Sequence, residues 1–206
     1  MGRRGGSKRK PKRRTLIVCE GKETEPNYLS QFRRRDDVTK YRQVTVVPGK
    51  GGSRQQVVHH AFKCSKRAKF DEVFCVLDTE RQDCPETRDD IKRAIDLANA
   101  NDVQLFWSNP CFEVWLIAHF QRTSRTFHDG EATCNYLDRL MNDRFQVAYA
   151  KSDPDVYSRL RSLIDEAKMN AHDVRYYDHG EDASVLDCNS STEIDRLCTI
   201  LTKPLG

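Results

Sequence analysis

Short apolar runs bounded by polar, turn-forming residues alternate with segments of helical period through the first half of the chain. Thr15 to Cys19 reads as a buried strand, and a helix follows from about Pro26, with Pro26 at its first position and Tyr28, Leu29 and Phe32 on its apolar face. Gln43 to Val47 is a second strand. The loop Pro48-Gly49-Lys50-Gly51-Gly52-Ser53 then leads to a helix holding Val57, Val58, Ala61, Phe62 and Cys64. Val73 to Leu77 is strand three, Asp89 to Asn99 a helix with Ile91, Ala94, Ile95 and Ala98 on one face, and Val103 to Trp107 strand four.

Repeated β-α-β units with short connections imply an α/β fold: a mostly parallel four-stranded sheet flanked by helices. After Ser108 the pattern becomes helical, with segments at Cys111 to Phe120, Tyr136 to Leu140, Asp155 to Lys168 and Thr192 to Leu201. The expected organisation is therefore a basic tail over 1–14, an α/β core over 15–122 and a C-terminal helical extension over 123–206 packed on the core.

Two of the strands end in acids. Leu16 to Cys19 runs into Glu20-Gly21, and Val73 to Leu77 into Asp78-Thr79-Glu80. In a parallel sheet the carboxyl ends of neighbouring strands open on one crevice, so these acids can meet. Alternate residues of an extended segment point the same way, which lets Asp78 and Glu80 face one ion. Oxygen-only ligands with coordination positions left for water and phosphate suit Mg2+, or Mn2+. Glu20 would be a further ligand or a general acid/base. Thr24 suits a helix cap, and Glu25 either complements the helix dipole or joins the ligands.

The segment Ser108 to Phe120 is the third constellation. Asn109 suits a helix N-cap and Pro110 the first helical position. The helix after them is apolar almost all round, so Glu113 must find a partner there, as a hydrogen-bonded acid or as an extra group of the metal site. His119 reads as a satisfied core histidine. The Gly49–Ser53 loop is either a phosphate-holding turn, with Lys50 on a nucleic-acid backbone, or a surface turn; its spacing is not that of a Walker A loop.

Charge refines this picture. The net charge is +4, but eight of the 35 basic residues, among them Arg13 and Arg14, lie in the first 14 positions with no acid. The remaining 27 face all 31 acids, so the body of the chain is slightly acidic and the positive charge belongs to the tail. Such a run is expected to be disordered and to contact phosphates or an acidic partner. The eight cysteines form no C-x-x-C pair, which argues against a zinc knuckle and against a disulfide framework. No apolar run approaches the ~20 residues that cross a bilayer, and no hydrophobic signal region follows the basic start, so a cytoplasmic protein is expected.

At these segments the chain resembles the RloB-like proteins, which are similar to the Toprim fold of topoisomerases, primases and OLD-type nucleases. The residues that carry the resemblance are Leu16-Ile17-Val18-Cys19-Glu20-Gly21 with Thr24-Glu25-Pro26-Asn27-Tyr28, the Val76-Leu77-Asp78-Thr79-Glu80 tip, Ser108 through Phe120, and Asn189-Ser190-Ser191-Thr192-Glu193 before the last helix. The resemblance implies a Toprim-like core in which Glu20 is the glutamate after the first strand and Asp78 and Glu80 are the acidic pair after the third, Glu80 standing where the family pattern has Asp. It implies a magnesium-dependent nuclease acting on RNA or DNA, an effector of anti-phage defence encoded beside a separate ATPase. Glu20, Asp78, Glu80 and Glu113 would carry the chemistry, Glu25 would add to the metal ligands, and Lys50 and Arg81 would offset transition-state charge. A non-catalytic nucleic-acid-binding or regulatory subunit is the alternative, and nucleotidyl transfer a third reading.

Overall fold

The computed structural model describes residues 11–80, 84–178, 180 and 184–205. Its strands are β1 (Arg13–Cys19), β2 (Arg42–Val47), β3 (Glu72–Asp78), β4 (Gln104–Asn109) and β5 (Ser191–Thr192). They form one sheet in the order β2-β1-β3-β4-β5, with the first four parallel and β5 antiparallel to β4. The mostly parallel α/β sheet expected from the apolar runs is therefore present. It has five strands rather than four, because Ser191 and Thr192 return from the C-terminal part to pair with Asn109 and Ser108.

Alternation within the strands divides the core between two faces. Ile17, Cys19, Phe74, Val76 and Phe106 point to one side. They pack there with α1 (Thr24–Phe32), α5 (Glu113–Ala118), α6 (Gly130–Phe145), α7 (Val156–Leu160), α8 (Ile164–Asp173) and α9 (Ile194–Thr202). Leu16, Val18, Cys75, Leu77 and Trp107 point to the other, against α3 (Arg54–Ala68) and α4 (Pro85–Ala100). A further short helix, α2 (Asp36–Thr39), precedes β2.

Because β2 lies on one side of β1 and β3 on the other, the chain reverses its winding between β1 and β3. A crevice opens at such a switch point, outside the carboxyl ends of the two strands, and Glu20 and Asp78 both stand there.

Several boundaries differ from the expected ones. Arg13 and Arg14 are not tail residues: they open β1, Arg13 ion-paired with Glu72 at 3.1 Å and Arg14 over the Phe70 ring. Residues 1–10 and Arg81 lie outside the described residues. Asn109 does not cap a helix; it ends β4, its side-chain amide donates to the Val185 carbonyl at 2.9 Å, and the Asn109–Pro110 bond is cis. The helix starts only at Glu113. Thr24 is the first residue of α1 rather than its cap, which is Glu23.

His119 is fully buried. Its Nδ1–H donates to the Trp115 carbonyl at 2.9 Å, which leaves Nε2 to accept from the Tyr28 hydroxyl at 3.1 Å, so both ring nitrogens are satisfied in the neutral form. Burial lowers its pKa to about 4. A depressed pKa gives stability that is present above the unfolded-state value near 6.5 and lost as pH falls toward 4, about 3 kcal/mol from this residue. Urea unfolding of His119→Gln between pH 4 and 7 should show a shallower acid loss than the wild type. Identical pH profiles would mean that another group titrates.

Candidate metal and phosphate site

The β1 tip sets the first carboxylate. Glu20 donates its backbone N–H to the Val76 carbonyl, continuing the parallel ladder one residue past β1, and its Oε2 accepts from the Asp78 N–H at 2.9 Å. The side chain therefore lies along the end of β3. Burial pushes its pKa up to about 7, against the opposing pull of Arg54 and the Asp78 N–H, with Glu80 and Glu25 adding repulsion.

Asp78 ends β3. Its backbone N–H is used by Glu20 and its carbonyl by Arg54, but its Oδ1 is shut off from solvent with no hydrogen-bond partner. Burial, then the negative charges of Glu25, Glu20, Glu113 and Glu80, drive its pKa well above the usual carboxylate range. An unpartnered carboxylate oxygen facing other carboxylates is costly unless a proton or a cation is shared there.

Glu25 and Glu113 complete the cluster from two helices. Glu25 sits in the first turn of α1, buried, with Oε1 accepting from the Gly21 N–H at 2.8 Å. Its pKa is raised by burial, against the backbone N–H donors, and further by Glu113. It thus turns back onto the β1 tip from the first turn of α1, where its charge also complements the helix dipole. Glu113, also buried, opens α5; its Oε1 accepts from the Tyr149 hydroxyl at 2.7 Å, with the Thr24 hydroxyl at 3.5 Å and Lys151 Nζ at 3.7 Å.

Glu80 is the exception. The expected alternation assumed an extended backbone through Thr79, but Thr79 N–H pairs with the Ser108 carbonyl and Glu80 N–H with the Pro110 carbonyl, and Glu80 takes a φ of 48°. That turn sends its side chain outward, 63% exposed and ion-paired with Arg54 at 3.2 Å. Asp78 and Glu80 do not face the same point.

Arg54 is a group that the apolar periodicity did not mark. It is buried in the first turn of α3, where a cation opposes the helix dipole and therefore needs acceptors. It has them: the Asp78 and Thr79 carbonyls, Glu80, and Asp90 at 3.4 Å. The charge itself, directly after the Ser53 capping box with Gln56, was the available signal. Tyr149 and Lys151 lie in the loop after α6 and carry no periodic signal at all.

The glycine loop is a largely exposed turn, as one of its two expected readings has it, and is anchored to the site at Gly49. Gly49 N–H donates to the Gly21 carbonyl at 2.8 Å, and a Cβ on Gly49 would stand 1.7 Å from the Glu20 carbonyl oxygen. The loop is thus packed on the β1 tip rather than loose. Lys50 follows it, exposed. Arg13 and Arg14 sit at the other end of β1, about 20 Å from Glu20 at strand rise, and share no crevice with it.

Among the described residues, no three His, Cys, Asp or Glu side chains are close enough together to enclose a metal ion. What the site has is oxygen donors of one charge, repelling each other, with one oxygen unpartnered. The donor set suits a hard cation such as magnesium rather than zinc. No helix of the described residues is long and apolar enough to cross a membrane. A family model described as RloB-like protein matches residues 15–201. No curated protein and no solved structure matches the chain.

Proposed function

We propose that this chain, which belongs to the RloB-like protein family, is a magnesium-dependent nuclease of Toprim type that hydrolyses phosphodiester bonds of RNA or DNA. The observation that carries the reading is the unpartnered Asp78 Oδ1 at the switch point of a parallel sheet, inside the field of Glu20, Glu25 and Glu113. Asp78, with Glu20 as a further ligand, would hold magnesium or manganese inside the field of Glu25 and Glu113, and the ion when bound would supply the positive charge that polarises a scissile phosphate.

The chain's own residues supply the rest. Glu20 would alternatively be the group that takes or returns a proton at an oxygen, since in the metal-free site burial pushes its pKa up to about 7. Arg54 grips the Asp78 and Thr79 carbonyls and so fixes the tip from below. Glu80, turned to Arg54, acts on the site through that arginine rather than as a direct ligand. Lys50 and Arg81 are left as contacts to the phosphate backbone. The reading includes a cytoplasmic effector role in anti-phage defence beside a separate ATPase subunit, which rests on the family alone.

Cleavage of a panel of tRNA, single-stranded RNA, plasmid and linear DNA with Mg2+ or Mn2+ tests it. Wild type should cleave at least one substrate, and Asp78→Asn and Glu20→Gln should each lower the rate by about a hundredfold or more. Equal cleavage by all three proteins would mark the activity as a contaminant.

A second reading, a non-catalytic nucleic-acid-binding or regulatory subunit, is favoured by the ion pair that holds Glu80 away from Asp78 and by the lack of three convergent donors among the described residues. Salt-sensitive nucleic-acid binding that survives both substitutions, with no turnover in either metal, would select it.

A further inference from the structure

The loop from α6 to α7 reaches the acid cluster beside Thr24 and Glu113 and brings two groups that the chemistry above leaves unused. Tyr149 donates its hydroxyl to Glu113 Oε1 at 2.7 Å, and Lys151 Nζ stands 3.7 Å from the same oxygen. The backbone that carries them is tied on three sides. Tyr149 N–H donates to Asp138 Oδ1 at 2.7 Å, the Lys151 carbonyl accepts from the Thr24 hydroxyl at 3.4 Å, and the Pro154 carbonyl accepts from the Gln31 side chain.

Lys151 differs from the structural cations of this fold. Arg175 and Asp195 form a closed bidentate pair at 2.7 and 2.6 Å, with side chains 7% and 9% exposed. The Lys151 side chain is 57% exposed while that of its partner Glu113 is 3% exposed. At 3.7 Å the ammonium is beyond the distance of a charge-assisted hydrogen bond, and Glu113 already has the Tyr149 hydroxyl. A lysine carries three donors, so this one stands at the mouth of the crevice with donors left for a second anion. A phosphate approaching carboxylates needs such a cation, because the cluster alone repels it.

We propose that Lys151 is a substrate-contacting residue whose ammonium takes a non-bridging oxygen of the phosphodiester beside the acid cluster. The inference rests on the nuclease reading and deepens it: the C-terminal half of the chain closes the site instead of merely buttressing the sheet.

The test uses the full chain and two probes read separately. Mn2+ binding is followed by the electron paramagnetic resonance of the free ion, and binding of thymidine 3′,5′-bisphosphate with Ca2+ by calorimetry. Lys151→Met should weaken bisphosphate binding by about tenfold, the loss expected for one charged contact. It should keep or tighten Mn2+ binding, since a positive charge leaves the cluster. Lys151→Arg should retain most of the bisphosphate affinity. Bisphosphate binding unchanged in Lys151→Met overturns the proposal, as does joint loss of Mn2+ binding and thermal stability, which would make the lysine a structural counter-ion. A wild type that binds Mn2+ but not the bisphosphate overturns it while leaving the metal site standing. A wild type that binds neither overturns the nuclease reading with it.

Discussion

Asp78→Asn should make the metal-free protein more stable at pH 8 while removing its response to magnesium. The two effects have one origin. Burial and neighbouring negative charges raise the Asp78 and Glu20 pKa values, Glu20 to about 7. A carboxyl whose pKa is raised on folding contributes stability that is fully present below its unfolded value, near 4.5 for Glu20, and lost as pH rises through the folded one. Glu20 alone makes the metal-free protein lose about 3 kcal/mol between pH 4.5 and 7. Asparagine keeps the shape of Asp78 and has no proton to lose, so the cost of holding that carboxyl buried among Glu25, Glu20 and Glu113 disappears. The expected result at pH 8 is a higher Tm, each 1 kcal/mol gained being worth about 2–4 °C for a chain of this size.

Magnesium should do for the wild type what the substitution does for the variant. A ligand that binds only the folded state raises stability as its concentration passes Kd, so wild-type Tm should climb with millimolar Mg2+ at pH 8 and hardly at all at pH 5, where the carboxyls are protonated. Asp78→Asn should show a flat Tm against Mg2+ at both. Calorimetric scans of the two proteins at pH 5 and 8, with and without the ion, decide it. A variant less stable than wild type at pH 8 that still responds to Mg2+ would place the charge strain elsewhere.

The elements that were legible in the sequence were those with short-range signals. Leu16–Cys19 and Val73–Leu77 are apolar without interruption because helices cover both faces of the sheet, and that burial is what made the strands and their acidic ends readable. Misplaced features were set by partners far along the chain. Asn109 stays in β4 because its amide is held by Val185 and Leu186, 76 and 77 residues away, so a cap-like Asn-Pro pair marked no helix start. Glu80 leaves the extended line because the Pro110 carbonyl takes its N–H. Ser191 and Thr192 are too few to show an alternating pattern. Arg13 was grouped with a basic run, yet Glu72 across the sheet makes it part of β1. Glu20, Asp78, Glu25 and Glu113 were marked by charge next to apolar sequence. Arg54 and Lys151 were not, because they meet the cluster only through tertiary contacts.

Gly49→Ala should be among the most damaging single substitutions in the chain, both for the fold and for cleavage. The added Cβ would stand 1.7 Å from the Glu20 carbonyl oxygen, 2.5 Å from its carbon and 3.0 Å from the Cys19 oxygen. All three are backbone atoms of the β1 tip, so no side-chain rotation relieves the contact. Either the loop lifts and gives up the Gly49 N–H bond to the Gly21 carbonyl, or the β1 tip moves and carries Glu20 away from the Asp78 N–H. Overpacking of this kind costs about 1–3 kcal/mol, and the lost hydrogen bond about 1 more. A displacement of about 1 Å at a catalytic carboxylate is worth about a hundredfold in rate. Gly51→Ala is the control: the only atoms near its Cβ are at the end of the Lys22 side chain, at 3.8 Å, so what remains is the strain of its φ of 80°, about 1–2 kcal/mol with no push on Glu20. Urea unfolding and the cleavage rate should therefore separate the two glycines. Gly49→Ala should lose both stability and activity, and Gly51→Ala stability alone. Equal losses of activity would mean that the whole loop contacts substrate, and an undisturbed Gly49→Ala protein would mean that the loop does not rest on the β1 tip.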